Sequence, residues 1–176
     1  MRVRELADLT RGLDVARFEK QMGPFALMQR PASEERVQQG RASRAGMTMP
    51  MPSPASLLAA PVEFEELVVA TLPPVLANGL MRLVIGRSPD CDVVVDDPSV
   101  SSRHAVIHWN GTAGVIIELG SSNGTFVNGK QVVGDATLQS GDHLSFGPSH
   151  FIYLLAPALH ERLKKAGTRT SHGSPL

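Results

Sequence analysis

The sequence predicts an all-β sandwich in its central region, residues 62–157. Short runs of β-branched and aromatic residues recur there, among them LMRLVIG (80–86), HAVIHW (104–109) and HFIYLL (150–155). Turn-forming residues separate these runs, and no helix signal lies between them. Several short strands at this spacing are typical of a sandwich.

The remaining strands are predicted by the same criteria. Alternation in HAVIHW places Ala105, Ile107 and Trp109 on one side, which indicates a strand with one buried face. The pair Asn128-Gly129 is a strong signal for a two-residue hairpin, because both residues tolerate the positive φ of a type I′ turn. The other predicted strands are EELVVATL (65–72), DVVV (92–95), GVIIEL (114–119), TFV (125–127), KQVV (130–133) and DHLSF (142–146).

The residues before the sandwich predict a short helical N-terminal extension, residues 1–30. Apolar residues recur there every three to four positions, and Asp14 is suited to cap a second helix. Gly23-Pro24 ends the helical pattern. The apolar face of these helices packs on the sandwich or docks a partner protein, and the sequence leaves both readings open.

Two further segments differ from the sandwich in composition. Residues 31–61 are rich in Pro, Ser, Ala and Met and show little periodicity, which predicts a flexible, disordered linker. Residues 158–176 predict a short helix followed by a polar tail.

The overall charge excludes some classes of partner. Seventeen Lys and Arg residues balance seventeen Asp and Glu residues. A dedicated nucleic-acid or anionic-membrane binder usually carries a clear basic excess, so we expect neither partner. Residues 61–157 carry four basic and ten acidic side chains. An anion site in this region must therefore be local.

Cysteine content and hydropathy predict a cytoplasmic protein. The single Cys91 excludes a disulfide framework within one chain and suits a reducing compartment. No apolar run approaches the roughly 18 residues that a membrane span needs. The first residues mix charges with apolar side chains, unlike a secretory signal.

Polar residues in the predicted loops suggest chemistry for a phosphate group. Arg87 follows Gly86 at a strand end, while Ser101 and Ser122-Asn123 lie in other loops. A guanidinium binds oxyanions through charge-assisted bonds, and hydroxyls and amides add directed donors. The plainer alternative is a surface ion pair of Arg87 with Asp90 or Asp92, with serines that cap turns.

Four sequence blocks resemble the signature of the forkhead-associated (FHA) domain: GR (86–87), SSRH (101–104), LGSSNGTFVNG (119–129) and LQSGDHLSFG (138–147). The resemblance covers roughly residues 62–157 and matches in order and spacing. It implies a β-sandwich of about eleven strands whose loops at one end bind phosphothreonine peptides. It also implies a recognition module that is not an enzyme and needs no cofactor.

The resemblance assigns roles to individual residues. Arg87 would bind phosphate oxygens, and Ser101 would donate to the phosphate. Ser102 would add a donor at a position where other members often carry Asn, Lys or Arg, so a second cationic contact is missing there. Ser122 and Asn123 would hold the peptide backbone. Six further positions would shape the loops: Gly86, His104, Gly124, Thr125, Asn128 and Gly129.

Two other classes of site are weighed against this one. A hydrolase built from Ser101, His104 and Asp96 lacks the nucleophile elbow Gly-x-Ser-x-Gly, so no catalytic residue is predicted. The six His and one Cys show no metal-ligand spacing, so no metal site is predicted. A β-sandwich used for phosphate-independent protein assembly remains the alternative function.

The expected partner is a phosphothreonine-containing protein, either a Ser/Thr kinase or its substrate. Self-binding is a further hypothesis. Thr10 is followed three residues later by Leu13, and members of the family often select on that third residue. Phosphorylated Thr10 would then occupy the pocket of its own chain or of a neighbouring copy, across the linker.

Overall fold

The computed structural model describes residues 3–29, 67–68 and 81–168. They form three helices: α1 (Val3–Leu9), α2 (Val15–Met22) and α3 (Ala156–Thr168). They also form eleven strands: β1 (Phe25–Gln29), β2 (Leu67–Val68), β3 (Met81–Gly86), β4 (Val93–Val94), β5 (Ala105–Trp109), β6 (Gly114–Glu118), β7 (Thr125–Val127), β8 (Lys130–Gln131), β9 (Asp135–Leu138), β10 (His143–Phe146) and β11 (Ser149–Leu155).

The strands form two sheets that face each other. One has the order β2-β1-β11-β10-β7-β8, and the other has the order β4-β3-β5-β6-β9. Buried side chains from both sheets meet in a single core, including Leu27 and Tyr153 from the first sheet and Ile85, Ile107 and Ile116 from the second. The predicted sandwich and its approximate strand number are therefore confirmed.

The helices cover the outer face of the six-stranded sheet. A second buried cluster joins Leu6 of α1, Phe18 of α2 and Leu159 of α3 to Ile152 and Leu154 of β11. Asp14 caps α2 by accepting a hydrogen bond from the backbone N–H of Arg17 at 2.8 Å. Of the two readings left open for the N-terminal helices, the structure shows packing on the sandwich.

Residues 25–29 lie in the predicted helical extension 1–30, after the expected end of its helices at Gly23-Pro24, and they form a strand that the sequence analysis did not predict. Gly23, at φ 83°, and Pro24 end the helix, and the chain continues as β1 between β2 and β11. Both faces of β1 are covered, by the main core and by the helices, so its sequence FALMQ shows no alternation. Ala, Leu and Met also favour helix, which hides the strand.

Other expectations are met or lie outside the described residues. Asn128 (φ 52°) and Gly129 (φ 78°) join β7 to β8 as the predicted two-residue hairpin. Strand β9 was not predicted, because DATL carries little β signal. The predicted linker 31–61 and the residues after 168 lie outside the described ranges. No helix among the described residues is long and apolar enough to span a membrane.

Candidate functional site

The sheet register brings the predicted loops to one end of the sandwich. β3 ends beside the start of β5, since Ile85 pairs with Ala105, and Ala105 pairs with Glu118 at the end of β6. The loops that carry Arg87, Ser101 and Ser122 therefore leave the sheet at the same end of its strands. Hydrogen bonds then join these loops to one another.

Arg87 is fixed at its base and exposed at its tip. Its backbone N–H donates to the carbonyl of Ser101 at 3.0 Å, and its side-chain Nε donates to the carbonyl of Val100 at 3.2 Å. Neither Nη group has a partner among the described residues. The side chain thus keeps the four N–H donors of its two Nη groups, on a guanidinium whose direction is set by the Nε bond.

The structure does not contain the alternative ion pair of Arg87 with Asp90 or Asp92. Asp90 binds Arg103 at 2.6 Å. The hydrogen bond from Arg103, helped by one from Ser88, lowers the pKa of Asp90 to about 2. The carboxylate of Asp92 accepts from the backbone N–H of Val84 at 2.7 Å. Both carboxylates are engaged elsewhere, which leaves the charge of Arg87 available.

Ser101 links the two loops that would flank a ligand. Its Oγ accepts a hydrogen bond from the backbone N–H of Ser122 at 3.1 Å. Because the oxygen is the acceptor in this bond, the hydroxyl hydrogen remains able to donate. Ser102 lies beside it and is exposed, and its carbonyl accepts from the N–H of Ser88 at 3.0 Å. Ser102 thus anchors the loop through its backbone.

His104 is buried and tied to both loops. Its Nδ1 accepts from the N–H of Ser101 at 3.2 Å, and its Nε2 lies 3.1 Å from the carbonyl of Gly124. Since a carbonyl only accepts, Nε2 carries the proton. The ring also packs edge-on against Phe146. Both nitrogens are occupied by backbone groups, so His104 is not placed to take a proton from the Ser101 hydroxyl.

Asn123 connects the second loop to the first. Its Nδ2 donates to the carbonyl of Ser99 at 2.7 Å, while the side chain as a whole is exposed. Ser99 is itself held by the carboxylate of Asp97, which accepts from its backbone N–H at 2.8 Å. One amide hydrogen and the carbonyl oxygen of Asn123 are not used in this bond. They are suited to bind an extended peptide backbone.

Two positions at this end require glycine, Gly86 because of a close backbone contact and Gly124 because of its positive φ. A Cβ on Gly86 would collide with the backbone carbonyl of Ser102, and backbone atoms move only at high cost. Gly124 has φ 77°, and a Cβ there would lie 2.7 Å from Nε2 of Gln131. Both positions therefore need glycine to bring the loops together.

The remaining loop-shaping positions lie below the loops. Thr125 is fully buried at the start of β7. The Nδ2 of Asn128 donates to the carboxylate of Asp142 at 2.8 Å, and its Oδ1 accepts from the N–H of His143 at 2.9 Å. These contacts hold β7 against β10. Both residues therefore lie in the frame of the domain, below the loops.

Replacing His104 with Ala should loosen the site and destabilise the fold. The change leaves the Ser101 N–H and the Gly124 carbonyl without partners, and each unpaired buried group costs about 1–3 kcal/mol. We expect the urea midpoint to fall and the m-value to stay constant. His143→Ala, which removes another buried histidine, on β10, is the control for loss of a buried imidazole outside the loops: its effect on phosphopeptide affinity should be smaller. Equal affinities in the two variants would contradict the linking role of His104.

Thr10, the residue of the self-binding hypothesis, lies far from these loops in the helical layer. It is 7% exposed, and its hydroxyl donates to the carbonyl of Leu6 at 2.7 Å. It borders a cavity of about 360 Å³ that His160 and Leu163 also line. A kinase can reach this hydroxyl only if the turn between α1 and α2 opens.

Sequence reasoning identified the side chains at this end but not the groups that position them. The carbonyls of Ser99 and Val100 carry no sequence signal, because every residue has one. Glu118, whose carboxylate accepts from the N–H groups of Gly120 and Ser121, was also missed. Its place two residues before the Gly-Ser-Ser segment 120–122 was the available clue. Within residues 3–29 and 81–168, no group of three or more His, Cys, Asp or Glu side chains is placed to hold a metal ion.

Known proteins match this chain over the region that contains the site. Residues 83–147 match the FHA domain. The glycogen accumulation regulator GarA of Mycolicibacterium smegmatis is 39% identical over 72 residues, which cover 41% of this chain and 45% of GarA. The oxoglutarate dehydrogenase inhibitor of Corynebacterium jeikeium is 38% identical over 69 residues, which cover 39% of this chain and 47% of the inhibitor.

Among solved structures, the FHA domain of FhaA is 36% identical, with 41% of this chain and 78% of that chain covered and a TM-score of 0.39. The chain thus spans about half the length of the two curated relatives and most of the solved FhaA domain.

Proposed function

We propose that this chain, which belongs to the FHA-domain proteins through residues 83–147, binds phosphothreonine peptides as an adaptor in a cytoplasmic process regulated by a Ser/Thr kinase. One observation carries the proposal. The exposed guanidinium of Arg87 is oriented by its Nε bond to the carbonyl of Val100, and the backbone N–H of Arg87 donates to the carbonyl of Ser101, which ties the two residues together at the same end of the sandwich. A dianionic phosphate needs this combination of one fork of charged donors and one neutral donor.

The loops are ordered before any ligand arrives. Hydrogen bonds from Ser122 to Ser101, from Asn123 to Ser99 and from His104 to Gly124 cross between them. Binding therefore costs less ordering entropy than it would with free loops. In this arrangement Arg87, Ser101 and Ser102 serve the phosphate, and Ser122 and Asn123 serve the peptide backbone.

The names of the relatives support a regulatory role. GarA and the corynebacterial protein are described as a regulator and an inhibitor. Neither description is that of a catalyst. We propose that the partner of this chain is a phosphorylated protein, either a Ser/Thr kinase or a kinase substrate.

Self-binding through Thr10 requires that its hydroxyl first become accessible to a kinase. The buried hydroxyl of Thr10 has to be released from Leu6 before it can be phosphorylated. Kinase-treated protein and its Thr10→Ala variant should therefore differ in binding an outside phosphopeptide only under conditions that open the helical layer. Equal binding under all conditions excludes self-binding through Thr10.

The proposed function is tested by titrating the protein with an oriented library of phosphothreonine peptides. Phosphoserine and unphosphorylated libraries are the controls. We expect binding to phosphorylated and not to unphosphorylated peptides, because the phosphate supplies a negative charge to pair with the guanidinium of Arg87. The resemblance to the FHA family further implies a preference for phosphothreonine over phosphoserine. Equal binding of phosphorylated and unphosphorylated peptides would instead support a β-sandwich used for phosphate-independent assembly.

A further inference from the structure

The carboxylate of Glu118 holds the loop 119–124, which would bind the peptide backbone, through hydrogen bonds within that loop. Glu118, the last residue of β6, accepts a hydrogen bond from the N–H of Gly120 at 2.7 Å and another from the N–H of Ser121 at 2.8 Å. Gly120 has φ 74°, which turns two successive N–H groups toward the same anion. The carboxylate thus fills a backbone nest within its own loop.

A second bond continues this shape toward the ligand side. The Oγ of Ser121 accepts from the N–H of Gly124 at 3.0 Å, so the loop is closed across Ser122 and Asn123. Those two residues then contact the neighbouring loop through Ser101 and Ser99. The orientation of Ser122 and Asn123, the two proposed peptide contacts, therefore depends on a turn that begins at Glu118.

Glu118 is charged in this position. Burial raises the pKa of Glu118, but the hydrogen bonds from Ser121 and Gly120 outweigh burial and hold the pKa below its ordinary range. A negative charge near a phosphate site opposes phosphate binding. A carboxylate at this position is therefore unfavourable for ligand binding unless its bonds to the loop compensate.

We propose that Glu118 is a positioning residue for peptide recognition, acting through the loop 119–124 and not through contact with the ligand. This inference rests on the proposed function. It predicts the opposite change in phosphopeptide affinity from the one that charge repulsion alone predicts. If Glu118 acted only as a charge, its removal would strengthen phosphopeptide binding, whereas loss of a positioning residue weakens it.

The decisive variant is Glu118→Gln, measured with one phosphothreonine peptide selected by the wild-type protein. The amide offers one acceptor oxygen and turns an NH₂ group toward a backbone N–H, so the nest is lost. We expect the Kd to rise at least fivefold while the unfolding midpoint stays close to that of the wild type. Glu118→Asp, which keeps both oxygens, should recover part of the affinity.

Two further variants distinguish the effect of loop geometry on the Kd from the effect of negative charge. Ser121→Ala removes the bond to Gly124 without changing charge, and it should also raise the Kd. Asp96→Asn is the matched charge control, because Asp96 is exposed in the loop after β4 and has no bond among the described residues. It should leave the Kd within twofold of the wild type or lower it slightly.

The outcomes distinguish this inference from the proposed function. If the wild-type protein binds no phosphothreonine peptide, the proposed function fails and this inference fails with it. If the wild type binds and Glu118→Gln binds as well or better, the positioning role alone is overturned. A higher Kd for both Glu118→Gln and Ser121→Ala, with Asp96→Asn unchanged, supports it.

Discussion

Replacing Arg87 with Ala should lower phosphothreonine-peptide affinity at least about tenfold. The variant leaves a dianionic phosphate with neutral donors only, and a hydrogen bond to a charged group is worth about 1.5–3 kcal/mol. The bond from Nε to the carbonyl of Val100 is lost too, but it is a single part-buried bond from an exposed side chain, so the fold should persist. Isothermal titration with the peptide selected by the wild type measures the effect.

Arg82 offers the matched control for this experiment. It is an exposed arginine on β3, five residues before Arg87, and no hydrogen bond to its side chain is described. Arg82→Ala removes the same charge from the protein and should leave the Kd within about twofold. Arg87→Lys should fall between wild type and Arg87→Ala, because it keeps the charge but loses the planar fork. Equal losses for Arg82→Ala and Arg87→Ala would mean that net charge, and not a site, governs binding.

Deleting residues 1–29 should abolish cooperative folding. The deletion removes β1 from between β2 and β11 and strips the helices from the outer face of the sheet. Five large side chains that are at most 1% exposed are lost with it: Leu6, Phe18, Phe25, Leu27 and Met28. At about 1.5–3 kcal/mol each, their burial is comparable to the whole stability of a small domain, about 5–15 kcal/mol. Circular dichroism during urea unfolding measures the result.

Point variants test the same conclusion with the chain intact. Leu27→Ala empties a fully buried position on β1 and should cost about 2–5 kcal/mol. Val94→Ala, at a strand residue that is 49% exposed, is the control and should stay within about 0.5 kcal/mol. A sharp unfolding transition for the deleted chain, with the wild-type midpoint, would show that the domain begins after residue 29.

The sequence predicted most strands because their signals are local. β5, β6 and β11 are rich in β-branched and aromatic residues, and the Asn128-Gly129 turn has its own backbone requirement. Arg87, Ser101, Ser122 and Asn123 were identified from four blocks in the correct order. The structure gathers all four residues at one end of the sandwich, which spacing alone could not establish.

The parts that the sequence did not reveal depend on distant contacts. β1 looks like helix in isolation and becomes a strand because β2 and β11 pair with it from both sides. The ion pair of Asp90 with Arg103 and the hydrogen bond of His104 to Gly124 join residues 13 and 20 positions apart. Glu118 acts on N–H groups that no side-chain pattern marks. Each of these features becomes visible only after the loops are placed in space.

The pairing of β1 with β11 also has a consequence for how the chain folds during its synthesis. Leu27 lies opposite Tyr153, so β1 leaves the ribosome 126 residues before its partner. At about 5–20 residues per second, this delay is roughly 6–25 s. Throughout that interval the apolar faces of α1 and α2 have no sheet to cover, and they are available to chaperones or to other nascent chains. Pauses in translation before residue 149 should therefore affect the yield of native protein more than pauses after residue 155.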